Sequence, residues 1–115
     1  MTLIERQLPD DPLAFIQAAV QGGRLYLTYH VNMRLQGRYI PRQAIIDAVD
    51  TYQLVEAYPA DKYLPSYLIL ACSGNDAFHL LFAIDLEGDN VRVVTAYRPS
   101  LDEWEADLKT RRTPR

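Results

Sequence analysis

His30, Arg34 and Arg38 recur every fourth residue, a spacing that stacks side chains in one stripe along a helix. That places three potential cations side by side, and the two arginines can grip phosphate because each guanidinium offers a planar fork of paired donors. An imidazole in such a row can take or give a proton near neutral pH. His79 and the pair Tyr97-Arg98 lie further along the chain. Together the six residues make a candidate set for metal-independent RNA cleavage. That reaction needs a base for the ribose 2′-hydroxyl, a cation for the phosphorane and an acid for the leaving oxygen. His30 or His79 would be base or acid, Arg34 and Arg38 the phosphate clamps, and Tyr97 or Arg98 a support from a strand end. Each residue also has a plain structural reading. Arginines on a helix surface are commonly solvated or paired with carboxylates, and a histidine at a helix start bonds backbone or its neighbours. His79 beneath a covering element is a satisfied core polar group, and Tyr97 packs its ring with the hydroxyl at the rim.

The same cations support a second function class. The stripe and the basic tail, with Lys109, Arg111, Arg112 and Arg115, can receive an acidic segment of a partner without any catalysis. Geometry separates the two. Convergence of His30, Arg34, His79 and Tyr97 in one groove favours the nuclease, and their dispersal favours the binding module.

Composition narrows the rest. A chain of 115 residues with 49% hydrophobic content supports one core, hence a single domain over residues 1–115. No apolar run approaches the roughly eighteen residues of a membrane span, and Met1 to Arg6 lacks the layout of a secretory signal, so the expectation is a cytoplasmic protein without a membrane partner. The lone Cys72 has no disulfide partner and sits in a strand-like run, where a small buried hydrophobe is the ordinary reading. Two distant histidines and one cysteine give no zinc spacing. With no glycine-rich phosphate loop and no Gly-x-Ser-x-Gly, no cofactor is expected. The net charge of −3 is unevenly spread. No carboxylate occurs from Pro12 to Ile46, where Arg24, His30, Arg34, Arg38 and Arg42 all fall. A local basic patch is therefore compatible with an acidic whole, while the acidic balance counts against broad RNA affinity. The eight tyrosines are scattered and give RNA stacking little support.

The elements that must position these residues follow from periodicity. Phe78, Leu80, Phe82 and Ile84 alternate with His79, Leu81, Ala83 and Asp85, a strand with one strongly apolar face. Val91 to Tyr97 forms its hairpin partner after the turn-prone Leu86-Glu87-Gly88-Asp89-Asn90. Arg98-Pro99 closes that strand. Ser100 and Glu103 have capping-box spacing, which predicts a helix from Leu101 to about Lys109 with Leu101, Trp104 and Leu108 on its apolar face. Upstream, residues 1–9 read as a loose arm. Asp11-Pro12 opens a helix over about 12–21 that Gly22-Gly23 stops. Leu25-Tyr26-Leu27 reads as a brief extended link, Thr28 caps a helix to about Arg38, and Ile40-Pro41 starts another that buries Ala44, Ile45, Ala48 and Val49. Leu54–Tyr58 and Tyr67–Cys72 supply two more strands. The predicted fold class is α+β, with N-terminal helices on a four-stranded antiparallel meander, a short C-terminal helix and a frayed basic tail at 110–115.

Beyond the physical reading, the run from His30 to Ile40 resembles the opening motif of the bacterial family called domain of unknown function 4258, in which a His is followed four later by Arg, then an apolar residue and Arg-Gly-Ile or similar. His30, Arg34, Leu35, Arg38 and Ile40 match, and Tyr39 departs where glycine is usual. Phe78-His79-Leu80 and the run from Val94 to Glu105 are also similar to that family, so the resemblance spans about residues 26 to 112. It implies a fold like that of RelE-type and BrnT-type toxins. It further implies a toxin-like role beside an antitoxin-like partner, with RNA as a substrate, and carries no agreed active site to transfer.

Overall fold

The structure is a computed structural model that describes residues 7–38 and 40–113. Met1 to Arg6, Tyr39, Pro114 and Arg115 lie outside the described residues, and with them most of the expected loose arm and the tip of the basic tail.

Helix α1 spans Pro12–Gln21; the Asp11 side chain accepts from the Ala14 amide and proline fills the first turn. Strand β1 is Leu25–Leu27. Helix α2, Tyr29–Gly37, is capped by the Thr28 hydroxyl, which accepts from the Val31 amide, and α3 is Arg42–Asp47, followed by a 3₁₀ turn at Val49–Thr51. The remaining strands are β2 Gln53–Tyr58, β3 Ser66–Ser73, β4 Asp76–Asp85 and β5 Asn90–Tyr97. Strands β2 to β5 each pair antiparallel with their sequence neighbours, and the fold class is α+β. Two expectations need correction. The sheet has five strands in the order β1-β5-β4-β3-β2, because Leu25–Leu27 pairs in parallel with Val91–Val93 instead of serving as a link. The sheet is therefore mixed.

The second correction concerns the C-terminus. Residues 101–110 form turns, not a helix. The amides of Glu103 and Trp104 do reach back to the Ser100 carbonyl, so one helical turn starts. It then ends as Trp104 forms a β-bridge with Arg111, the Glu105 amide bonds the Thr110 carbonyl, and Asp107 collects the amides of Lys109 and Thr110 on one carboxylate oxygen. An aspartate that offers backbone amides a local partner competes with the helical ladder. Leu108 takes a left-handed φ of 59°. Arg111 and Arg112 are anchored by this loop and do not fray, contrary to the tail expected from residue 110; Arg112 pairs with Glu105 at 3.3 Å. Leu101 is exposed, whereas Trp104 is buried as expected.

The core lies on one sheet face. Phe78, Leu80, Phe82 and Ile84 of β4 meet Ile16, Ala19 and Val20 of α1, with Leu35, Ile40 and Ile45 closing the cluster. Tyr52 packs its ring 5.7 Å from that of Phe82 and donates its hydroxyl to the Ile45 carbonyl at 2.6 Å. A bulge between β4 and β5, where Leu81 faces Thr95 but Phe82 faces Val93, leaves Val94 as the extra residue.

Candidate functional site

The six candidate residues fall in three places. Arg38 and Arg98 serve the sheet edge. Since β1 ends at the level of Val93, the outer edge of the following stretch of β5 has no strand beside it among the described residues, and α2 packs on β5. The Arg38 guanidinium donates to the Ala96 carbonyl, and Arg42 does the same for the Leu25 carbonyl of β1 at 3.0 Å. Unpaired edge carbonyls are thus capped by charged donors. Arg98 grips Asp76 with two parallel bonds of 2.9 and 2.8 Å and also donates to the Arg38 carbonyl. These contacts hold Asp76 below its ordinary carboxylate range. The phosphate-clamp role expected of Arg38 and the strand-end support expected of Arg98 compete with these architectural bonds.

His30 and Arg34 form the second group. His30 opens α2, about 12 Å along the axis from Arg38, and both it and Arg34 are exposed. Neither has a hydrogen-bond or ion-pair partner among the described residues. On the same side, opposite buried Leu35, stand Tyr29, 78% exposed, and Met33, 47% exposed. Tyr26, 57% exposed, shares a shallow hollow with Tyr29, Asn32 and Arg42.

The third group lies on the sheet face away from the core, where alternation puts His79 of β4 and Tyr97 of β5 side by side. His79 is fully buried under the 99–113 segment, which we term the strap. Its Nε2 lies 2.7 Å from the Leu108 carbonyl and its Nδ1 lies 3.2 Å from the Tyr97 hydroxyl. A carbonyl only accepts, so Nε2 carries the proton and Nδ1 accepts from Tyr97. Burial pushes the His79 pKa down, with the Leu108 bond and Glu56 opposing and Arg111 reinforcing; the ring is neutral. Trp104 sits edge-on to it at 4.6 Å between ring centres.

Sequence reading missed the residues that complete this face. Glu56 and Tyr58 of β2 point the same way, and the Tyr58 hydroxyl bonds the Glu56 carboxylate. Arg111 reaches Glu56 with two bonds of 2.8 and 2.9 Å and lies 4.5 Å from the centre of the Trp104 ring. The Arg111 fork holds Glu56 below the carboxylate range, while burial raises Tyr97 and Tyr58. The alternation of Glu56 and Tyr58 was a visible signal; a partner fifty-five positions away in an apparent tail was not. Beside the cluster opens a cleft of about 320 Å³ lined by Tyr58, Asp61, Leu68, Leu81, Thr95, Tyr97 and Arg111.

Fold and site define a small α+β protein with a mixed five-stranded sheet, a free cationic helix face and a strapped polar sheet face. The chain belongs to the family described as Domain of unknown function (DUF4258), whose model matches residues 27–98. The match takes in α2 and the sheet from β2 to β5 and stops short of the strap. No curated protein and no solved structure gave a significant match. No helix among the described residues is long and apolar enough to cross a membrane.

Proposed function

We propose that this chain is a non-catalytic protein-interaction module, the toxin-like half of a toxin–antitoxin type of pair, and that the outward face of α2 receives an acidic, partly apolar segment of the other half. The observation that carries this reading is the exposed quartet Tyr29, His30, Met33 and Arg34. Residues four apart on a helix are surface neighbours, so the quartet presents an apolar row beside a cationic row. A carboxylate-bearing helix or strand with spaced aliphatic residues complements both. The lack of carboxylates from Pro12 to Ile46 means that the rest of this N-terminal segment does not repel such a partner. The antiparallel run β2 to β5 with helices on one face supports a RelE-like reading of the fold.

Co-expression with the products of the genes flanking its own tests the proposal. One acidic product should co-purify with the tagged chain, and the doubly reversed variant His30→Glu with Arg34→Glu should weaken that complex at least tenfold without lowering the thermal midpoint. Failure of both products to bind, or binding indifferent to the reversal, removes the reading. Growth unaffected by induced expression in the absence of the partner removes the toxin assignment.

The hydrogen-bonded pair of His79 and Tyr97 at the cleft favours a second reading, a metal-independent ribonuclease. In it the Tyr97 hydroxyl meets the substrate while neutral His79 receives its proton. Incubation of the pure chain with RNA in chelator checks this, with loss of cleavage in Tyr97→Phe as the expected result.

A further inference from the structure

Arg111 is bound the way a ligand is bound. Its guanidinium makes a parallel pair of bonds to one carboxylate, Glu56, and lies over one aromatic ring, that of Trp104. Bidentate pairing and stacking on an aromatic face are properties that arginine has and lysine lacks. The receptor side is prearranged, in part on the sheet and in part on the strap itself. Glu56 and Tyr58 lie on β2 and are bonded to each other, and Trp104 is 1% exposed and fixed against His79. The ligand side is the more exposed. Arg111 is half-exposed and belongs to a strap without regular secondary structure apart from the single bridge to Trp104. The strap also contains the left-handed Leu108, a backbone state that L-residues with a side-chain branch avoid. A cleft continues from Arg111 along Tyr58, Leu68, Leu81 and Tyr97, wide enough for the residues that flank an arginine in an extended segment. Glu56 and Tyr58 lie inside the family match, whereas Trp104 and Arg111 lie outside it.

We infer that Glu56, Tyr58 and Trp104 form a guanidinium-binding site that Arg111 fills in cis, and that an arginine-bearing segment of a partner exchanges with Arg111 and runs along the adjoining cleft. The site is separate from the α2 face, so it stands or falls independently of the partner proposed there.

Trp104 is the single tryptophan of the chain and reports the site directly by its emission. The full-length Arg111→Ala variant, its fold checked by circular dichroism and thermal melting, is titrated with N-acetyl-arginine amide and with the lysine equivalent. A saturable emission change is expected with the arginine compound, at least tenfold weaker with lysine, and absent when Glu56→Gln is added. In the wild-type chain a peptide copying residues 105–113, which carries no tryptophan, should give the same change at higher concentration, since Arg111 competes in cis. No saturable response to the arginine compound, an equal response to lysine, or a response that survives Glu56→Gln overturns the site. A wild-type chain that never responds to the peptide overturns the exchange. Should Arg111→Ala lose its fold, Arg111→Lys keeps the charge without the fork, and the same titrations apply with the same outcomes.

Discussion

The two faces of the sheet are closed by different physics. On the core face Phe78, Leu80, Phe82 and Ile84 meet helices through aliphatic and aromatic contact alone, and burial of that kind is non-directional and involves no charge to titrate or to screen. On the outer face a fifteen-residue strap is pinned by Trp104, by the Leu108 carbonyl on His79, and by the Arg111–Glu56 fork. Charged and titratable groups hold it, so its attachment responds to conditions that leave the core unmoved. One side of the molecule is built for permanence and the other for adjustment.

The comparison breaks most sharply in mutants of one large buried ring from each face. Phe82→Ala, at a fully buried site, should cost about 3–5 kcal/mol in chemical unfolding. Trp104→Ala should fall at the lower end, about 3 kcal/mol, because the strap can lift while the helices stay packed. The distinguishing measurement is amide exchange. Trp104→Ala should expose the outer-face amides and leave β3 and β4 protected, whereas general loss of protection would equate the two faces.

Acid sharpens the contrast next. The His79 pKa is lowered in the fold, so below the ordinary histidine value of about 6.5 the unfolded chain binds the proton more readily. Stability is complete above that value and falls as pH drops through the window beneath it. Glu56 and Asp76 are also lowered, by Arg111 and Arg98 respectively. Their contribution is complete above about pH 4 and is lost further down, so His79 yields first. A His79→Gln variant should flatten the stability curve between about pH 7 and 5. A slope identical to the wild type would place the sensitivity elsewhere.

Salt gives the smallest effect. Glu56→Gln should cost about 0.5–1 kcal/mol at low ionic strength and less at about 1 M salt, where exposed charges are screened. Phe82→Ala should keep its full cost across that range, as thermal melts of both variants can show.

The legible part of this molecule was the part governed by nearest neighbours. Alternation from Phe78 to Asp85 and from Val91 to Tyr97 marked β4 and β5, and Asp11, Thr28 and Gly22 marked helix ends. Strand β1 was read as a link because three residues pairing in parallel with the far end of the chain leave no local pattern. The capping box of Ser100 and Glu103 misled because its signal is local too. It nucleates one turn, and burying Trp104 against His79 then outweighs what further turns would add. The candidate site divides the same way. Helical spacing gathered His30 and Arg34 correctly onto one exposed face. It could not show that Arg38 and Arg98 cap a sheet edge, nor that His79 lies beneath the strap. The Glu56–Arg111 pair depends on a contact between distant segments, which composition and periodicity do not encode.

The parallel register of β1 against β5 has a consequence for how the chain is made. Leu25 is synthesised well before its partner Val91, so the nascent chain carries an unfinished sheet until β5 follows. Arg42 and Arg38, sequestering carbonyls along the late-closing margin, make the finished sheet a poor template for a neighbouring chain once β5 arrives.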